Sequence, residues 1–458
     1  MSTLARLWSH TATLTLTVFL SLHGSAVTAN VLSVTNYGAD NNNCGSTASP
    51  CRSITQAIEN ASAWDTIWVG AGHYGNIHGD PDFSGAGDER PQTLPIYHTY
   101  SSCMICVTKP VHIQSYNGAA VTFIDGGSSP LFTAAVMIVA DGATFGSPGH
   151  GFTITGGNGV GVLVNRQLAE SMTRDTVVAG TIDVKDGFGF LTYGMEAVPF
   201  QCPPQFAQDC FFKPNAQVLL LGNQALGSGV GFYAIQNFEP TGHIKFVMQG
   251  NFAAGTKAGF AADGGIAIDV RIDAPVATYL NNVAVDNGVG FSLPYTGTVR
   301  GNTASGNSQA GFLLETTSTL FVQNSAIGNA GPGAIVAPGD PNRPPAVIDQ
   351  FYGNNFFGND RNRPQITVSN GPLSFPLGPG AQCGVVNVGA FIFIKTAQFG
   401  FGGLGIPETL QAPNNFWGSA HGPQQNGQGD AAGGVCDFNG GTTIAKPAQT
   451  APAAITSF

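Results

Sequence analysis

The hydrophobic positions of this chain come in short alternating runs separated by polar turns, and the runs recur. The segments LGNQALGSGVGFYAI, QGNFAAGTKAGFAAD, LNNVAVDNGVGFSLP, RGNTASGNSQAGFLLE and QNSAIGNAGPGAIVA share one plan. Each places an Asn early, then Gly and polar residues, then Gly and a short apolar strand. The early Asn falls at Asn223, Asn251, Asn282, Asn302 and Asn324, and Asn354 extends the series. The residue after the Gly is Phe232, Phe260, Phe291 and Phe312 in successive units. Steps of roughly 20 to 30 residues are the period of a solenoid. Alternation within GFYAI and GFLLE predicts strands, not helices. One coil per repeat, stacked about 4.8 Å above the last, makes a single-stranded right-handed parallel β-helix. Asn residues at one level can then ladder from coil to coil, with Phe stacked inside. The predicted class is all-β.

A solenoid leaves open sheet edges that need covering. Near the start, SPCRSITQAIENASAWDTIWVGAGHY predicts a short capping helix. Ser53 is its N-cap, and Ile54, Ala57, Ile58 and Ala61 form one apolar stripe at helical spacing. DTIWVGAGHY then opens the first coil. Together with FIDGG at 123–127, GFTITGGNGVGVLV at 151–164 and NNFWGSAHGP at 414–423, this opening resembles the pectin-lyase-like right-handed β-helix proteins. The resemblance implies the architecture over nearly the whole chain after the leader. It implies little about activity, because one fold hosts many functions. The expected organisation is a signal peptide at 1–29, cap loop and helix at 30–64, β-helix at 65–440 and a flexible tail at 441–458. Insertions that break the repeat are expected near 75–102 and 192–216, with a Pro-rich one at 337–347.

The basic start at Arg6, the apolar run TATLTLTVFLSL and the small residues Val27 and Ala29 predict a secretory signal cleaved near Ala29. The mature chain is therefore expected outside the cytoplasm, secreted or periplasmic or at the cell surface, as a monomer without a membrane span. Eight cysteines in an exported chain predict disulfides. Proximity pairs Cys44 with Cys51, Cys103 with Cys106 and Cys202 with Cys210, which leaves Cys383 with Cys436. Zinc at Cys103 and Cys106 lacks a second nearby pair. A net charge of −10 argues against nucleic acid, whose recognition requires a basic face.

Candidate chemistry is sparse. The Gly-His-Gly at His150 resembles that of polygalacturonases, whose mechanism uses acid and base carboxylates on opposite sides of the scissile bond. That family also needs an Asp-Asp pair before the histidine and an Arg-x-Lys after it. This chain has neither, so His150 reads as part of a turn. The segment DVRID is the better candidate. On a strand, Asp269, Arg271 and Asp273 share one face while Val270 and Ile272 point inward. Polysaccharide lyases of the resembled family hold calcium with outward Asp residues and use Arg or Lys as base, which implies Asp269 and Asp273 as calcium ligands and Arg271 as base. TIDVKDG offers a similar substrate-facing row through Asp183 and Lys185. The competing reading of both rows is exposed ion pairs. A third group, His73, His78, Asp80, Asp82, Asp88 and His98, reads as a solvated loop. The functions carried forward are binding of extracellular polysaccharide or another surface component, a calcium-dependent uronate lyase, and a structural or adhesive module.

Overall fold

Three sheets run side by side along one axis, and the chain winds through them in turn; their strands are parallel except Gln92–Ile96, which pairs antiparallel with Thr99–Val107 at the edge of the third sheet. A computed structural model describes residues 29–453, apart from 79–84, 86–87, 97–98, 127–133, 156–158, 166–173, 185–186, 196–216, 238–244, 265–276, 294–296, 315–318, 337–349, 361–365, 369–370, 374–384, 389, 397–398, 407, 424–434 and 439–440. Among the described residues the first sheet has 11 strands, from Val31–Val34 to Gln350–Tyr352. The second has 10, from Gly72–Gly75 to Asn355–Phe357, and the third has 12, ending at Val435–Phe438. The chain is a right-handed parallel β-helix with one short helix at its start.

The repeat explains the core. Phe232, Phe260, Phe291 and Phe312 share one register position in the third sheet, and each is 0% exposed. Their rings stack at 4.7–4.8 Å, and Phe190 extends the column below. Each such burial contributes roughly 1.5–3 kcal/mol. The Gly before each Phe is required by close approach. A Cβ on Gly259 would sit 2.7 Å from the carbonyl oxygen of Gly290, and one on Gly290 would sit 2.6 Å from that of Gly311.

Between the first and second sheets runs the expected ladder. Asn223, Asn251, Asn282, Asn302, Asn324, Asn354 and Asn415 are all 0% exposed. In each step the upper Oδ1 accepts from both the side-chain and backbone N–H of the residue below, as from Asn282 to Asn302 at 3.0 and 2.9 Å. A second ladder lies between the second and third sheets. It runs from Thr256 through Asn287, Asn307 and Asn329 to Asn359. Burying a polar turn is tolerable only when its groups are paired, and these two columns pair them.

Both ends are closed. The helix Ile54–Asn60 has Ser53 as N-cap, accepting from the Gln56 N–H, and its residues Ile54, Ala57 and Ile58 are buried. Glu89 accepts from the N–H groups of Ile54 and Thr55 at 2.7 Å, and Lys109 donates to the carbonyls of Glu59 and Ala61 at the other end. The open side of Val31–Val34 bonds the loop closed by Cys44–Cys51, through Ser33 N–H to Gly45 O and Cys51 N–H to Ser33 O. At the far end Trp417, 0% exposed, stacks on Phe356 at 5.4 Å.

The last residues depart from expectation. The segment read as a flexible tail is docked as far as Ala453. Strand Gly441–Ile444 pairs in parallel with Glu408–Gln411. Ala453 then exchanges backbone hydrogen bonds with the side chain of Asn355. The tail therefore packs against the last strand of the second sheet.

Candidate functional site

A cluster of outward side chains lies on the first sheet near the start of the β-helix. Strand Thr66–Val69 alternates, with Ile67 and Val69 buried and Thr66 and Trp68 outward. The next strand, His112–Ser115, sets Gln114 beside Trp68. Tyr116 follows directly, held by its N–H donating to Val69 O at 2.8 Å. The indole and phenol stack at 4.8 Å with 26° between their planes, and Tyr116 remains 50% exposed.

His150 completes the cluster and settles the meaning of the Gly-His-Gly. It sits in a turn between strands Thr144–Phe145 and Thr153–Thr155, with Gly149 at φ 81° and the His150 N–H donating to Ser147 O. Its Nδ1 bonds the carbonyl of Ser115 at 2.9 Å, so Nδ1 carries a proton. The imidazole and the Trp68 indole are nearly perpendicular, with ring centres 5.3 Å apart and 84° between their planes. Ser147 Oγ donates to Gln114 Oε1 at 2.9 Å, which orients the Gln114 amide with its NH₂ as the remaining donor. On the adjoining second sheet His73 stacks on Phe123 at 4.8 Å. At the other end of the Thr66–Val69 strand, Arg174 lies over the ring of Trp64, 3.9 Å from its centre. The sequence carried a signal for Trp68. In DTIWV the apolar Ile67 and Val69 claim the core, so the residue between them must face out.

Of the residues proposed from sequence, Asp269, Arg271 and Asp273 lie within 265–276, outside the described residues. Lys185 also lies outside them. Asp183 is a correction. It is 0% exposed, points into the core in register with Ala225, and accepts from Ser228 Oγ at 2.8 Å. The turn sets its orientation. Thr181 occupies the level of the Asn ladder, bonding Asn223 Oδ1, and the residue two beyond each ladder position points inward. Asp183 therefore offers no outward substrate contact.

Of the loop group, Asp88 accepts from the N–H of Ile77 at 2.8 Å and meets His78 Nδ1 at 3.1 Å. Asp80, Asp82 and His98 lie outside the described residues. Glu89 is wholly buried at the helix start, and loss of solvent pushes its carboxyl up to about 7. Among the described residues no group of three or more His, Cys, Asp or Glu side chains could hold a metal ion. Cys44–Cys51 and Cys103–Cys106 are disulfides as expected, and Cys436 is also disulfide-bonded. Cys202, Cys210 and Cys383 lie outside the described residues. Among the described residues no helix is long and apolar enough to cross a membrane.

Residues 36–81 match the family described as "Protein of unknown function (DUF1565)". That segment holds the cap loop, the helix and Trp68. No curated protein matches the sequence. Among solved structures, a mutant of the periplasmic alginate epimerase AlgG is 14% identical, with 74% of this chain and 78% of that one covered and a TM-score of 0.25. The AlgG structure without substitutions is 13% identical over 75% and 78% of the two chains, at a TM-score of 0.17.

Proposed function

We propose that this protein binds extracellular polysaccharide and that the binding surface is the outer face of the first sheet at Trp68 and Tyr116. The observation that carries this reading is the half-exposed Trp68–Tyr116 stack, flanked by the side chains of Gln114, Ser147 and His150. A sugar ring presents weakly positive C–H groups on one side and hydroxyls around its rim. Aromatic faces are negative and apolar, so they attract the first, while amide and imidazole groups bond the second. Strand positions locked by stacked coils hold such groups at little entropic cost. Disulfides suit an oxidising extracellular or periplasmic setting.

The test is retention of the purified protein on a panel of polysaccharides, with absorbance from new double bonds followed in parallel. Retention that falls when Trp68 is replaced by Ala, without new double bonds, supports the reading. Calcium-dependent double-bond formation that disappears in Arg271→Ala would replace it with the lyase. Failure to retain any polymer would leave the adhesive or structural role.

A further inference from the structure

We infer that the polysaccharide held at Trp68 and Tyr116 is uncharged. This deepens the reading above and rests on it. Among the described residues, the outward side chains that the register places around Trp68 are Val31, Thr66, His112, Gln114 and Thr144. Ser147 and His150 join them from the turn. None is Lys or Arg. A uronate polymer carries a carboxylate on every ring, and such groups are recognised by charge-assisted pairs, above all bidentate Arg. The guanidinium of Arg174 is instead set over Trp64, and that of Arg52 reaches Asn36 Oδ1 at 3.4 Å.

Two further points agree. Laying an ionised carboxylate against the Trp68 and Tyr116 rings would strip its water without supplying a partner, which is costly. At longer range the chain carries 27 Asp and Glu against 17 Lys and Arg, a net charge of −10 that repels polyanions. These features together favour a neutral glycan, bound by ring stacking and hydroxyl hydrogen bonds.

The experiment is affinity electrophoresis of the full chain against soluble neutral polysaccharides (a glucan, a xylan and a galactomannan) and against polygalacturonate and alginate, each at low and high salt. The expected result is retardation by at least one neutral polymer, changing less than about twofold with salt because no charge pair is screened. The same retardation should weaken at least about fivefold in both Trp68→Ala and Tyr116→Ala. Tyr116 is half exposed, so its variant remains informative if Trp68→Ala does not fold. Retardation confined to the uronate polymers and lost in both variants would overturn this inference while leaving the binding surface in place. Retardation by no polymer, or retardation indifferent to both variants, would overturn the binding surface and this inference with it.

Discussion

The side-chain amide of Asn282 donates to Oδ1 of Asn302 at 3.0 Å, and Nδ2 of Asn302 in turn donates to Oδ1 of Asn324 at 3.0 Å. Every amide in this column from Asn223 to Asn354 thus acts as acceptor for the coil below and donor to the coil above. Replacing Asn302 by Ala removes the acceptor for two N–H groups of Asn282 and leaves them buried. Each unpaired buried donor costs about 1–3 kcal/mol. Asn302→Ala should lower unfolding free energy by several kcal/mol, more than Thr303→Ala one residue along. Denaturant unfolding checks this, and similar midpoints for the two variants would count against the ladder's role.

Tyr279 makes the opposite prediction. It occupies the inner row of the first sheet between Met248 and Val299, is 3% exposed, and its hydroxyl has no hydrogen-bond partner among the described residues. Burial pushes its ionisation upward. A buried hydroxyl without a partner is a liability of about 1–3 kcal/mol. Tyr279→Phe keeps the ring and removes the liability, so the melting temperature should hold or rise. A clear fall in melting temperature would show that the hydroxyl is satisfied in solution.

Stability near the cap should depend on pH through Glu89. Its carboxyl titrates near 4.5 when unfolded and at about 7 when buried against the helix start. Between those values the folded chain holds a proton that the unfolded chain has released, so stability falls as pH rises from about 4.5 to 7. The full effect is on the order of 3 kcal/mol. Glu89→Gln should flatten that part of the profile, as read from unfolding at several pH values. An unchanged slope would assign the dependence to another group.

Cysteine pairing gives a chemical check. Cys436 is disulfide-bonded, and the pairing expected from sequence joins it to Cys383, with Cys202 bridged to Cys210. Non-reducing peptide mapping should recover both links. A peptide joining Cys436 to Cys202 or Cys210 would refute the assignment.

Much of the architecture was legible because one signal was repeated. Gly-Phe at a fixed place in each coil can only be a column, and the first Asn series can only be a ladder. The second ladder was legible too and went unread. Asn287, Asn307, Asn329 and Asn359 each lie five residues after a member of the first. Asp183 misled for a physical reason. Local alternation in TIDVKDG sends Ile182 and Val184 inward, but the register set at Thr181 turns the strand over, leaving Val184 39% exposed and Asp183 inside. The site was harder to find, since Trp68 and Tyr116 meet only when separate coils stack, and no repeat marks them.

The most direct measurement of the central claim is the ratio of association constants of the unaltered protein and Trp68→Ala for the polysaccharide it binds best, with folding of the variant verified by circular dichroism. Loss of one aromatic platform, at about 1–3 kcal/mol, predicts a ratio of roughly 5 to 150. A ratio near one, in a variant that folds normally, would show that the polysaccharide binds somewhere other than the Trp68–Tyr116 face.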